Sequence, residues 1–143
     1  MNKVIRKLCF IVLLFGVLNL SLASENDNQQ VISTLKKIFD KPTAPLVVDA
    51  TAVSGNFSLA SWSQETKAGR ALLKKKNNQW EIVVCGGKEL KKIPALSKAG
   101  VPSTDAEILV SGLSKAELQL PAARQRRFDS FSIDGQQHHK GRE

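Results

Sequence analysis

The sequence predicts an α+β domain in which an N-terminal helix packs on a four-stranded antiparallel meander and is followed by C-terminal helices. Three observations lead to this fold class: an apolar stripe with helical period, four short β-prone runs between turn residues, and a return to helix-starting residues towards the C-terminus. The chain has 143 residues, of which 42% are apolar and 24% are charged. These values are typical of one soluble domain of ordinary size, and they exclude a disordered chain and a multi-pass membrane protein.

Residues 1–23 are typical of a secretory signal peptide. They begin with a basic segment, continue with an apolar run over residues 8–22, and end in Ser21-Leu22-Ala23, which offers small residues to a signal peptidase. A retained membrane anchor is the alternative, but Asn19 interrupts the apolar run, and the run is shorter than the roughly 20 residues that span a bilayer. We therefore expect export, cleavage after Ala23 and no stable membrane anchor.

A helix is predicted around the first apolar stripe of the expected mature chain, after a loose lead-in over residues 24–30. Asp27 or Asn28 can cap its start, because each offers a side-chain oxygen to free backbone N–H groups. Pro42 ends the helix, since the residue before a proline avoids helical geometry. The stripe consists of Val31, Ile32, Leu35, Ile38 and Phe39.

Four β-prone runs follow, and the short turns between them favour antiparallel neighbours. The predicted strands cover residues 46–53, 57–64, 69–75 and 79–85.

Side-chain alternation assigns the two faces of the fourth predicted strand. Trp80, Ile82 and Val84 point towards the helix, where they are expected to pack on Val31, Leu35 and Ile38. Cys85 then lies on the opposite face with Glu81 and Val83, unless Gly86-Gly87 introduces a bulge.

Beyond Gly87 the sequence again predicts helices. Residues 105–120 form one helix or two, because Gly112 lies between two possible capping sequences. Pro121 suits the first position of a short last helix that runs through Arg127. We expect one domain over residues 24–134 and a polar tail over residues 135–143. The plan is like that of cystatin or nuclear-transport-factor-type folds, an analogy that carries no function.

The sequence contains none of the common catalytic motifs, and we predict that the protein is not an enzyme. It has no phosphate-binding glycine loop, no nucleophile elbow and no His-Glu-x-x-His helix. Its two histidines, His138 and His139, lie in the polar tail, where nothing holds a general base in place. The formal charge of +8 comes from short basic clusters without interleaved stacking aromatics, so nucleic acid is not expected as a partner.

Cys85 is the one thiol of the expected mature chain, because Cys9 falls within the signal segment. A thiolate is a soft ligand that suits Cu(I) or zinc, and the imidazoles of His138 and His139 would complete a three-ligand set if the tail reaches back. Two alternatives remain for Cys85: a half-buried thiol that acts as a small apolar residue, or a cysteine that bridges two protomers. For His138 and His139 the alternative is a solvated tail.

Six short segments occur in this chain in the order found in a known family. They are Phe39-Asp40-Lys41-Pro42 through Pro45-Leu46, Ala60-Ser61-Trp62-Ser63-Gln64, Gly69-Arg70-Ala71-Leu72-Leu73, residues 80–85 with Gly87, Ala99-Gly100-Val101-Pro102 and Leu120-Pro121-Ala122-Ala123-Arg124. Together they resemble the copper uptake system-associated proteins, a small family of exported bacterial proteins. The resemblance implies a periplasmic protein linked to copper handling, with the family's cysteine at Cys85 and its histidine-bearing tail reduced to His138 and His139.

These observations lead to one predicted function and one alternative. The predicted function is a non-enzymatic periplasmic accessory protein of copper uptake or handling, in which Cys85 binds Cu(I). Its expected partner is a copper-uptake membrane component or another periplasmic protein. The alternative is a periplasmic protein-binding module without a metal role, which uses the open face of the sheet and its basic rim.

Overall fold

The structure, a computed structural model, describes residues 18–131 and has the predicted α+β fold. A helix precedes a four-stranded antiparallel sheet, and shorter helices come after it. The elements are α1 (Leu18–Phe39), β1 (Val47–Ser54), β2 (Phe57–Gln64), β3 (Lys67–Lys76), β4 (Gln79–Gly86), a 3-10 helix (Lys88–Lys91), α2 (Ile93–Lys98), α3 (Ser103–Glu117) and α4 (Ala122–Asp129).

Helix α1 begins earlier than the sequence predicted. It runs without a break from Leu18, so the predicted loose lead-in and the predicted cap at Asp27 or Asn28 are wrong. Both side chains instead bind the sheet: Asp27 accepts a hydrogen bond from Lys75 Nζ at 2.6 Å, and Asn28 accepts one from Thr51 Oγ1 at 3.0 Å. Because these polar residues have partners on the sheet, they fasten the helix to it instead of ending it.

The four strands form a meander in the order β1-β2-β3-β4, as predicted. The turn between β3 and β4 places Asn77 and Asn78 at φ values of 50° and 60°, the left-handed conformation that asparagine tolerates in tight hairpins. The sheet is irregular at two points, where Asp49 in β1 and Val83 in β4 are extra residues in the pairing. Each bulge changes which side chains share a face.

Helices cover both faces of the sheet. On one face α1 buries Val31 and Leu35 against a cluster that includes Leu73 and Trp80. On the other face α3 buries Leu109 among side chains of β1, β2 and β3. The predicted open face of the sheet is therefore wrong, because a helix made of the C-terminal residues occupies it.

Two predicted core residues are at the surface. Ile38 is 56% exposed, because it lies on the flank of α1 and not beneath it. Val84 is 38% exposed, because the bulge at Val83 turns it to the face opposite α1, on the strand that forms one edge of the sheet among the described residues. Trp80, at 5% exposure, is buried as predicted.

The C-terminal helices largely follow the proline and glycine signals. Helix α3 is one continuous helix through Gly112 rather than two. Pro121 stands at the N-cap of α4, one position before the predicted one. Within residues 18–131 no helix is long and apolar enough to cross a membrane. The predicted signal peptide lies outside the described residues except for its last six, which belong to α1.

Candidate functional site

The bulge at Val83 decides where Cys85 lies. Leu73 pairs with Ile82 and Leu72 pairs with Val84, so Val83 has no partner in the register. Residues opposite each other in an antiparallel pair share a face, and Cys85 pairs with Ala71. Ala71 belongs to the cluster under α1, and Cys85 packs against that cluster. The prediction that Cys85 faces away from the helix is therefore wrong, and the cause is a bulge inside β4 and not at Gly86-Gly87.

Cys85 is a free thiol of intermediate exposure. Burial raises its pKa above the ordinary thiol value, because the apolar surroundings disfavour the thiolate. The sulfur is therefore protonated at neutral pH, and any metal ion that binds it has to displace that proton.

The C-terminal end of the described chain reaches the same face as Cys85. The ring of Phe131 lies 5.6 Å from that of Trp62 at an interplanar angle of 76°, an edge-to-face contact. It also covers Gly69, where a Cβ atom would lie 2.8 Å from a ring carbon. Gly69 and Ala71 are on the same face of β3, and Ala71 pairs with Cys85, so Gly69 and Cys85 are diagonal neighbours. The chain thus leaves α4 and arrives at Gly69, a diagonal neighbour of Cys85 in the sheet.

Histidine ligands cannot be placed, since His138 and His139 lie outside the described residues. Within residues 18–131 no group of three or more His, Cys, Asp or Glu side chains could hold a metal ion. Of the three predicted ligands, the structure thus locates Cys85 alone. It also locates Phe131, the last described residue before the tail that carries the two histidines.

The structure also contains a buried ion network that sequence reasoning missed. Arg70, on β3, is 1% exposed and points to the face covered by α3. Its guanidinium makes a bidentate pair with Glu117 of α3, with Nε to Oε1 at 2.7 Å and Nη2 to Oε2 at 3.0 Å. Ser61 Oγ and Lys91 Nζ also donate to the Glu117 carboxylate. Burial alone would raise the pKa of Glu117, but these donors lower it below the usual carboxyl range.

The same guanidinium binds the C-terminal segment. Its Nη1 donates to Asp129 Oδ1 at 2.7 Å and to the carbonyl oxygen of Gly87 at 3.2 Å. Arg70 therefore joins β3, α3, the end of β4 and the end of α4 at one point. A sequence signal for it existed: Arg70 alternates with Leu72 on an inward face of β3, and Glu117 follows Leu113 by one helical turn on the apolar side of α3. A charge of each sign at such positions indicates a buried pair.

A concave surface lies between α1 and the β3–β4 turn. This cleft has a volume of about 650 Å³ and is lined by carboxamides from both walls, among them Gln30 of α1 and Asn78 of the turn. Trp80 forms part of it, and its indole Nε1 is buried without a hydrogen-bond partner among the described residues. The lining holds neither a thiol nor an imidazole, so it offers no soft ligand for a metal ion.

Comparisons with protein-family models, with curated proteins and with solved structures find no match to this chain. The likeness to the copper uptake system-associated proteins therefore stays a prediction. Any assignment of function rests on the residues of the chain alone.

Proposed function

We propose that this chain is a non-enzymatic, periplasmic accessory protein of copper handling, in which the Cys85 thiolate binds Cu(I) with the aid of His138 and His139. Copper is cargo in this proposal and not a catalytic cofactor. The partner is a membrane component of copper uptake or another periplasmic protein that delivers or receives the ion.

One observation carries the proposal: Cys85 and Phe131, the last described residue before the tail, are on the same face of the sheet. Phe131 covers Gly69, the diagonal neighbour of Cys85. His138 follows Phe131 by seven residues, and an extended chain of that length spans up to roughly 25 Å. Since the separation to be bridged is only that between neighbouring strands, chain length does not prevent the imidazoles from reaching the sulfur.

The donor set fits Cu(I) better than zinc. Cu(I) is a soft ion for which thiolate is a preferred ligand, whereas structural zinc needs four protein ligands. Cys85 packs against the apolar cluster under α1, to which its cross-strand partner Ala71 belongs. Since Cys85 offers a single soft donor, the other coordination positions of Cu(I) are left to imidazole or to a ligand from a partner protein. Such an open site suits a protein that transfers its ion.

The test is an anaerobic Cu(I) titration against a competing chelator. It uses the full chain with Cys9→Ser, so that Cys85 is the only thiol. Cys85→Ser and the double variant His138→Ala/His139→Ala are titrated beside it. Lys92→Gln, which removes only an exposed ion pair with Glu89, serves as the control for a neutral surface change. We expect about one ion per chain, bound far more weakly without Cys85 and at least about tenfold more weakly without the two histidines.

Two results would contradict the proposal. Cu(I) binding that is unchanged in Cys85→Ser would show that the Cys85 thiolate is not a ligand. Failure of every variant to compete with the chelator would leave no role for Cu(I) and favour a protein-binding module.

A second candidate function is supported by the free edge of β4. Within the described residues β4 pairs with β3 alone, and Val83 and Val84 are 44% and 38% exposed there. Apolar side chains on an edge strand are a common docking surface for another protein. Capture of a periplasmic partner at low salt that is abolished by Val84→Lys, with Cu(I) absent throughout, would favour this function over copper binding.

A further inference from the structure

The last described residues form a strap over the end of the sheet. We define the strap as residues 129–131, which pass from the α3 face, where α4 lies, to the α1 face, where Phe131 lies. Two glycines make room for it. A Cβ atom on Gly87 would lie 2.6 Å from the carbonyl oxygen of Asp129, and one on Gly69 would lie 2.8 Å from the Phe131 ring.

Two contacts fasten the strap, one on each face. On the α3 face, Arg70 Nη1 donates to Asp129 Oδ1 at 2.7 Å. On the α1 face, the Phe131 ring packs edge-on against Trp62 at 5.6 Å between ring centres. The two ends of the ion pair differ in burial, because Arg70 is fully buried and held by Glu117, whereas Asp129 is 51% exposed. The strap can therefore be released at Asp129 without breaking the buried Arg70–Glu117 pair.

The position of Phe131 determines what the strap covers. The ring lies over Gly69, and the diagonal neighbours of a residue in an antiparallel sheet are within reach of an aromatic side chain. Cys85 is such a neighbour, since it pairs with Ala71, two residues along β3. Opening of the strap would therefore uncover the thiol from the side on which the sheet ends.

We propose that the strap is a gate over Cys85, held shut by the Arg70–Asp129 ion pair and the Phe131–Trp62 contact. Asp129 and Phe131 are positioning residues, which act on the thiol through the path of the chain. The gate deepens the proposed function and rests on it, in that the covered thiol is the proposed copper ligand. Its test uses no metal, so the gate and the copper proposal can fail separately.

The experiment measures the rate at which Cys85 reacts with 4,4′-dithiodipyridine, an uncharged disulfide reagent, in the full chain with Cys9→Ser. The rate is measured across pH, and the plateau at high pH is compared, because there the thiol is fully ionised and the rate reports access alone. We expect the plateau rate to rise about fivefold in Asp129→Asn, the shift produced by loss of one partly exposed ion pair. It should rise about tenfold in Phe131→Ala, which removes an aromatic contact as well as cover.

Matched variants separate the gate from a general loosening of the chain. Arg124→Gln removes the ion pair that the other end of α4 makes with Asp49, at 2.9 Å, and should leave the rate within about twofold of the parent. Asp129→Glu keeps the charge and should restore most of the parent rate. Urea unfolding of each variant identifies any that have lost the fold.

Folded Asp129→Asn and Phe131→Ala chains that both react at the parent rate would overturn the gate. A rise in Arg124→Gln as large as that in Asp129→Asn would also overturn it, because the thiol would then report the attachment of α4 and not the strap.

Discussion

At the scale of single residues, Cys85 combines a soft ligand atom with surroundings that keep it protonated. Burial raises the pKa of the thiol. A raised pKa has a defined consequence for metal binding, since an ion that binds the thiolate competes with a proton. As long as the pH is below the thiol pKa, the apparent Cu(I) affinity should therefore rise about tenfold for each unit by which the pH is raised, because one proton leaves for each ion bound.

The pKa itself can be checked without copper. The rate of alkylation of Cys85 by iodoacetamide, measured against pH in the chain with Cys9→Ser, should have its midpoint above that of the same chain unfolded in urea. The difference arises because unfolding returns the thiol to water, where the thiolate is solvated. A folded-state midpoint at or below the unfolded one would contradict the burial described for Cys85.

Residue-level prediction from the sequence selected Cys85 but assigned it to the wrong face of the sheet. Cys85 is recognisable as the distinctive side chain because it is the only cysteine outside the signal segment. The face on which Cys85 lies was not predictable, since alternation assumes a regular strand. Nothing in the residues around Val83 indicates a β-bulge there. Ile38 shows a different limit: a helical stripe predicts which side chains share a flank, but not how far the sheet beneath extends.

At the scale of elements, the strands were predictable, but the buried ion pair that joins β3 to α3 was not. The turn residues define all four strands to within two residues, because hairpin chemistry is local. The Arg70–Glu117 pair joins β3 to α3 across 47 positions of the chain. Such a contact depends on which helix covers which strand, and short-range patterns do not contain that information.

The buried Arg70–Glu117 pair leads to a prediction about stability. Glu117→Gln should destabilise the fold by about 3 kcal/mol or more at pH 7, because it removes the charged partner of a buried pair and leaves Arg70 with Asp129 as its one carboxylate among the described residues. Urea unfolding measures the loss. Lys92→Gln is the control, since it breaks the exposed pair with Glu89 and should cost less than about 1 kcal/mol.

The same pair has a pH signature whose sign is set by the lowered pKa of Glu117. The stabilisation is fully present above the ordinary carboxyl pKa and is lost as the pH falls through the lowered value. The difference between the parent and Glu117→Gln should therefore shrink on acidification. A difference that stays constant from pH 7 to pH 3 would show that the carboxylate charge is not what stabilises the contact.

At the scale of the whole molecule, one sheet packs against two hydrophobic cores, one on each face. Leu35 is buried under α1 and Leu109 under α3, both at 0% exposure, on opposite sides of the same four strands. Because each core needs the sheet to be formed, we expect the described domain to unfold in a single transition. Leu35→Ala and Leu109→Ala should each lower the free energy of unfolding by about 2–5 kcal/mol.

The measurement is urea unfolding monitored by fluorescence and by far-UV circular dichroism. Coincident curves in the parent and in both variants are expected. If Leu35→Ala produced an early transition that left the α3 side intact, the two cores would be independent units and not one.

The bulge at Val83 also bears on how the chain behaves when it is concentrated. A regular edge strand offers an even row of free N–H and C=O groups, which a strand from another molecule can extend into a fibril. The extra residue in β4 breaks that row close to the exposed Val83 and Val84 and increases the local twist. We therefore expect the irregularity that turns Cys85 inward also to disfavour aggregation along the β4 edge.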